Sequence, residues 1–216
     1  MRTFLPLALS FLLMLPASLL AQNINVWSPI AEQVKKSTVQ IQDGTRTFCT
    51  GWVINDKAKG GKDDNKDVDY VLTAAHCDHP PLFVEGVPAT VKAKDGSKDL
   101  MVLEVENLDK PALQLADKDP SIGDEIASFG YGYGLAEPMF RVANVANDKT
   151  YIPFDGVGGP LITINATFVP GQSGGPVVNH DGQVVMVVQL GTEIVGFGVG
   201  AETIKDKVGR FFEKAK

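Results

Sequence analysis

Short apolar runs alternate with polar breaks along nearly the whole chain. Residues 38–42, 47–54, 70–74, 81–84, 89–93 and 100–105 form one series, rich in Val, Ile, Leu and Thr. Residues 125–129, 143–146, 161–165, 176–178, 184–190 and 196–199 form a second. Each run is too short for a core helix, and Gly, Pro, Asn or Asp separates most neighbours, so the runs predict strands. Asn179-His180-Asp181-Gly182 lies between two of them and predicts a hairpin turn. Residues 55–69, dense in Lys, Asp and Gly, predict a solvated loop. A helix is expected over residues 28–34, with Ser28 as N-cap and Pro29 in the first turn. A second is expected at the end, where Ile204, Val208 and Phe211 or Phe212 recur at helical spacing. The pattern is that of an all-β chain, and it fits two packed antiparallel barrels with a crossover at residues 108–124 and a short helix at each end.

The first residues follow another pattern. Residues 5–20 are almost wholly apolar, Arg2 is the only charge before Glu32, and Ala21 precedes a polar Gln22-Asn23. This is the layout of a secretory signal peptide cut after Ala21. The other reading is an uncleaved membrane anchor, but Pro6 and Pro16 interrupt a stretch already short for a span. The expected division is a signal peptide at 1–21 and one domain at 22–216, with a secreted or periplasmic location. No membrane span is expected in the mature chain.

The formal charge of −6 and the absence of a basic run argue against a nucleic-acid partner. Only two cysteines occur, Cys49 and Cys77, and an even pair in an exported protein suggests a disulfide.

The chemistry sits in two motifs. In Gly171-Gln172-Ser173-Gly174-Gly175-Pro176, glycines flank a serine just before an apolar run. Such a turn exposes a hydroxyl and lets a carbonyl approach main-chain N–H groups. About a hundred residues upstream, Leu72-Thr73-Ala74-Ala75-His76-Cys77 ends a strand on a histidine. A serine hydroxyl is a poor nucleophile without a base, and the base needs a buried carboxylate to orient it. Two aspartates compete for that place. Asp99 directly precedes the apolar strand 100–105, where it is buried readily, whereas Asp109 lies in a polar Lys110-Pro111 turn that favours solvent.

On Thr73-Ala74-Ala75-His76-Cys77 and Gly171 to Pro176 the chain resembles the chymotrypsin-fold, trypsin-like serine proteases, from about residue 39 to the end. Asp99-Leu100-Met101-Val102-Leu103 tilts the resemblance towards the HtrA-like branch and agrees with Asp99 as the acid. The resemblance implies two six-stranded chymotrypsin-like barrels and a serine endopeptidase acting on proteins or peptides without metal or cofactor. It implies Ser173 as nucleophile, His76 as base, and the N–H groups of Gly171 and Ser173 as oxyanion hole. It pairs Cys49 with Cys77. It puts Thr167 at the base of the substrate pocket and Val188 and Gln189 in its walls, with small or medium apolar P1 residues preferred. Gln172 stands where proteases activated by N-terminal cleavage carry an aspartate, so no such activation is expected. HtrA relatives usually carry a PDZ domain after the protease domain, and none is expected here. Other readings are a catalytically silent binding or chaperone-like module and an acyl hydrolase of other substrates.

Lesser signals carry little. His76-x-x-His79 lacks helical ligand spacing because prolines follow His79. Asp63, Asn65, Asp67 and Asp69 alternate as in a calcium loop, but Val68 stands where a glycine is needed. Gly130-Tyr131-Gly132-Tyr133-Gly134 has no helix after it to make a phosphate loop, and His180 is read as an exposed turn residue.

Overall fold

A computed structural model of the chain describes residues 25–54, 68–152 and 159–213, with side chains up to residue 209. The expected signal peptide, most of the expected 55–69 loop and three of the four residues of the suggested calcium loop lie outside the described residues.

Helix α1 (Trp27–Ser37) leads into strands β1 (Thr38–Gln42), β2 (Thr47–Ile54), β3 (Val68–Ala74), β4 (Phe83–Val84), β5 (Val87–Asp95) and β6 (Leu100–Glu106). These six close an antiparallel barrel in the order β1-β2-β3-β6-β5-β4. Strands β7 (Glu125–Gly130), β8 (Met139–Thr150), β9 (Leu161–Ile164), β10 (Pro176–Val178), β11 (Val184–Gly191) and β12 (Gly196–Gly200) close a second, in the order β10-β11-β12-β9-β8-β7. Helix α2 (Ala201–Glu213) follows. The all-β double barrel with a helix at each end is therefore the observed architecture, and the crossover falls between β6 and β7.

Side-chain alternation explains the packing. Val39, Ile41, Val53, Val71, Met101 and Leu103 fill the first barrel, and Ile126, Val145, Ile162, Ile164, Met186 and Val188 fill the second. The opposite faces of several of the same strands supply a core between the barrels: Trp52, Leu72, Leu100 and Val102 meet Phe129, Val178, Val184 and Val187. Trp27, Ile30 and Val34 of α1 and Ile204 of α2 seal it.

Two local boundaries differ from those expected. Helix α1 starts before Ser28: Val26 is its N-cap, and the Asn25 carboxamide accepts the Trp27 N–H at 3.2 Å. Strand β3 begins at Val68, inside the expected loop, and Asp69 accepts the Leu108 N–H at 3.0 Å, pinning the start of the crossover. His180 is an exposed turn residue as expected, and it has partners. Its ring packs edge-on against Trp27 at 4.4 Å, and its Nε2 lies 3.0 Å from Glu125.

Candidate active site

The two barrels bring three distant residues towards one cleft. Strand β3 ends at Ala74, and a 3₁₀ turn, Ala75–Cys77, presents His76. Asp99 sits at the mouth of β6, which pairs with β3 so that Ala74 lies opposite Leu100. The pairing puts the carboxylate under the imidazole. Asp99 Oδ2 lies 2.7 Å from His76 Nδ1, and Oδ1 accepts the His76 backbone N–H at 2.7 Å. Asp99 is 7% exposed, while Asp109 is exposed on the crossover. A carboxylate at Nδ1 fixes the proton there and leaves the Nε2 lone pair free.

Ser173 comes from the second barrel, on the turn before β10. Gly171 and Gly174 make this turn possible, with φ of +98° and +83°. A Cβ on Gly171 would strike the Tyr131 carbonyl, and one on Gly174 would strike Thr73 Oγ1 and the Thr50 carbonyl. The turn is bound to β11 through Gly174 N–H to Val188 O, 2.7 Å, and Val188 N–H to Gly175 O, 3.0 Å. It is bound to the first barrel through Thr50 N–H to Ser173 O, 2.9 Å. Thr50 Oγ1 donates to the Gly171 carbonyl at 2.7 Å and accepts the Tyr131 N–H at 2.8 Å. Nothing in the sequence motifs pointed to Thr50; it becomes legible only when β2 is laid beside the serine turn.

The main chain around the serine is oriented by these bonds. The Pro170 carbonyl is held by the Tyr133 N–H at 2.7 Å, and in a trans peptide that turns the Gly171 N–H the other way. The Gln172 carbonyl accepts from Gly175, which turns the Ser173 N–H likewise. Neither N–H has a protein acceptor among the described residues. Gln172 itself is buried, and its side-chain oxygen accepts the Val169 N–H at 2.9 Å, so it braces the turn internally.

Ser173, Gly171, His76, Phe48, His79 and Arg46 line a cleft of about 440 Å³. Asp43 also lines it, its carboxyl held down to about 2 by the Thr45 hydroxyl and backbone N–H. Ser173 Oγ donates to the Gln189 carbonyl at 3.4 Å, and no hydrogen bond joins it to His76 among the described residues.

The expected pocket residues are placed differently. Val188 is buried in the second-barrel core, because inward positions of β11 face that core. The Gln189 side chain is also buried, and points at the first barrel, donating to the Lys98 carbonyl at 2.5 Å. Thr167 is half-buried and accepts the Arg141 guanidinium on both its carbonyl and its hydroxyl. None of the three lines the cleft that holds Ser173 and His76.

Cys49 and Cys77 are joined as a disulfide, tying β2 to the turn that carries His76. Their sulfurs and the His76 ring lie within 4.8 Å of one another, but a disulfide offers no thiolate to a metal.

Comparison with known proteins agrees with this geometry. A family model described as the trypsin-like peptidase domain matches residues 49–187. A probable periplasmic serine endoprotease, DegP-like, from Halomonas elongata is 34% identical over 130 residues, 54% of this chain and 26% of that protein. Human serine protease HTRA4 is 25% identical over 208 residues, 90% of this chain and 43% of that protein. The chain thus spans well under half the length of these curated relatives. Among solved structures, the active form of the Rv3671c protease from M. tuberculosis superposes with a TM-score of 0.71 at 23% identity, covering 86% of this chain and 85% of that one. The HtrA-type protease AlgW with a tripeptide gives 0.72 at 15% identity, covering 88% and 64%. By fold and by the matched family model, this chain belongs to the trypsin-like peptidase domain family.

Proposed function

We propose that the chain is an exported serine endopeptidase that hydrolyses peptide bonds through an acyl-enzyme. The observation that carries this reading is His76, 2.7 Å from Asp99, lining one cleft with a serine whose turn presents two N–H groups that have no protein acceptor among the described residues. Ser173 Oγ forms a bond to the scissile carbonyl carbon as its proton passes to His76 Nε2. The carbonyl oxygen takes the negative charge and is held by the Gly171 and Ser173 N–H groups, each worth on the order of 3–4 kcal/mol of barrier. The C–N bond then breaks, and the amine leaves with the proton from His76. Water repeats the sequence to release the acid and restore Ser173. Asp99 orients His76 and offsets its transient positive charge.

Ser173 Oγ must rotate from the Gln189 carbonyl towards His76 for the first step, and catalytic hydrogen bonds of this kind commonly tighten only with substrate in place. No cofactor enters the scheme. Protein or peptide substrates are the proposed class, with small or medium apolar P1 side chains because Thr167, Phe168 and Val169 offer no acid for Lys or Arg. Export rests on the apolar leader at 1–21, on the periplasmic label of the DegP-like relative, and on the disulfide, which persists in an oxidising compartment. Among the described residues no helix is long and apolar enough to cross a membrane.

One observation favours the second reading, a non-catalytic binding module: the resting Ser173 hydroxyl is bonded to a carbonyl and not to the base. Intact mass after incubation with a fluorophosphonate separates the two. One adduct on the native protein, absent from Ser173→Ala, is expected. No adduct on folded protein would overturn the peptidase reading and leave the binding module.

A further inference from the structure

We propose that Gln189 is a positioning residue that registers the acid-bearing turn of the first barrel against the nucleophile turn of the second; the proposal rests on the peptidase reading above. Residues 96–99 form the turn between β5 and β6, and this turn carries Asp99. Asp99 holds a left-handed backbone, φ +51°, uncommon for a residue with a Cβ. Something must fix that conformation, because a turn that relaxes from it carries the carboxylate away from His76.

Within the first barrel, the Ala75 N–H donates to the Asp99 carbonyl at 3.0 Å. From the second barrel, Gln189 Nε2 donates to the Lys98 carbonyl at 2.5 Å and approaches the Asp99 carbonyl at 3.4 Å. The same residue's own carbonyl accepts the Ser173 hydroxyl, and its neighbour Val188 exchanges backbone bonds with Gly174 and Gly175. One stretch of β11 therefore touches both halves of the site: by main chain the nucleophile turn, by the Gln189 amide the acid turn. A second tie holds the far end of the acid turn, where Lys207 of α2 meets Asp95 at 3.0 Å.

The composition of the tie is informative. Gln189 is 2% exposed, yet its Oε1 has no hydrogen-bond partner among the described residues. An unsatisfied buried oxygen is costly, so a leucine or methionine would be the better choice for packing alone. The amide is explained by its donor, which is placed on the two carbonyls either side of the left-handed Asp99 Cα.

The test compares the intact protein with Gln189→Leu and Gln189→Met. The saturable labelling of Ser173 by a fluorophosphonate gives a maximal rate and a half-saturation concentration, and the low-field proton resonance of the His76 Nδ1–H reports its bond to Asp99. Expected in both variants is a maximal rate lower by about tenfold to a hundredfold, the scale of a displacement near 1 Å, with half-saturation unchanged. The low-field resonance is expected to broaden or move upfield at an unaltered melting temperature. Wild-type values of either the maximal rate or the resonance in a folded variant overturn the proposal. Should neither variant fold, the native protein still decides it. A through-hydrogen-bond coupling between the Gln189 side-chain amide and the Lys98 carbonyl carbon, with slow exchange of that amide, is expected; a freely exchanging, uncoupled amide overturns it. If the native protein takes no label, the peptidase reading fails, while the proton resonance still reports whether Gln189 holds Asp99.

Discussion

Thr50 shows how much one hydroxyl can organise. It is fully buried, and its Oγ1 is bonded to the Gly171 carbonyl on one side and the Tyr131 N–H on the other. Thr50→Val keeps the shape and strands both backbone groups. A loss of stability of about 1–3 kcal/mol follows from leaving buried polar groups unpaired. Because one of those groups belongs to Gly171, the rate of Ser173 labelling should fall as well. Chemical denaturation and fluorophosphonate kinetics on the same variant measure both; a variant that is less stable but labels at the native rate would show that Thr50 does not orient the oxyanion donors. Arg141 supports a prediction on substrate choice. Its guanidinium is held on Thr167, six residues before Ser173, and no carboxylate pairs with it among the described residues. If Thr167 is the base of the substrate pocket, a fixed positive charge there opposes Lys and Arg at P1. A peptide-library cleavage profile should therefore be depleted in both, and a profile dominated by them would contradict that assignment.

At the scale of elements, the helices are held by carboxylates that no local signal announced. Trp27 of α1 donates its indole N–H to Glu125 at 2.8 Å, and His180 reaches the same carboxylate. The indole first, and the histidine after it, hold the Glu125 carboxyl below its ordinary range. A carboxyl lowered on folding contributes stability above its unfolded range and loses it as pH falls through its folded value. Trp27→Phe removes the leading cause, so the melting temperature should fall less steeply between about pH 5 and pH 3 than in the native protein. Equal slopes would show that the indole bond does not matter. Helix α2 is capped from a distance: Asp119 on the crossover accepts the Glu202 N–H at 2.8 Å. Asp119→Ala should cost about 1 kcal/mol, the usual value of a lost N-cap, read by denaturation. These partners were illegible because they depend on the crossover and β7 meeting the two chain ends. Local pattern served better where burial sets the period. β1, β2 and β10 have the boundaries expected from their apolar runs. It served least in β8, expected over residues 143–146 and observed over Met139–Thr150. Asn147, Asp148 and Lys149 end the apolar run, but the strand is bulged and wet on one face there, so polar side chains are tolerated. In the candidate site, His76, Asp99 and Ser173 were legible because each sits at a strand end or turn with its own motif. The facing of Val188 and Gln189 was not legible, because it depends on the β11–β12 bulge, between Val188 and Leu190, which the run of residues 184–190 does not reveal.

For the molecule as a whole, the site exists only while both barrels stand together. His76 and Asp99 come from one and Ser173 from the other, and the core between them draws Trp52, Leu72 and Leu100 against Phe129, Val184 and Val187. The crossover adds two parallel bridges, Ile54 with Leu113 in the first barrel and Leu115 with Val184 in the second. Neither barrel keeps its outer faces covered if the other unfolds, since each would expose fully buried side chains such as Leu72 and Val184. A single cooperative transition is therefore expected, with calorimetric and van't Hoff enthalpies equal. Leu72→Ala should lower that one transition by about 2–5 kcal/mol, the range for a leucine deleted from a close-packed core. Cys49–Cys77 closes a separation of 28 residues within the first barrel alone, and reduction should cost roughly 3–4 kcal/mol by the loop-entropy estimate. If the barrels are coupled as the shared core implies, reduction must lower the loss of tertiary signal from Phe129 and Tyr131 in the second barrel as much as that from Trp52 in the first. Two separated transitions after reduction, with the second barrel melting at its native temperature, would show the interbarrel core too weak to couple them, and the two halves of the site would then be joined by local ties alone.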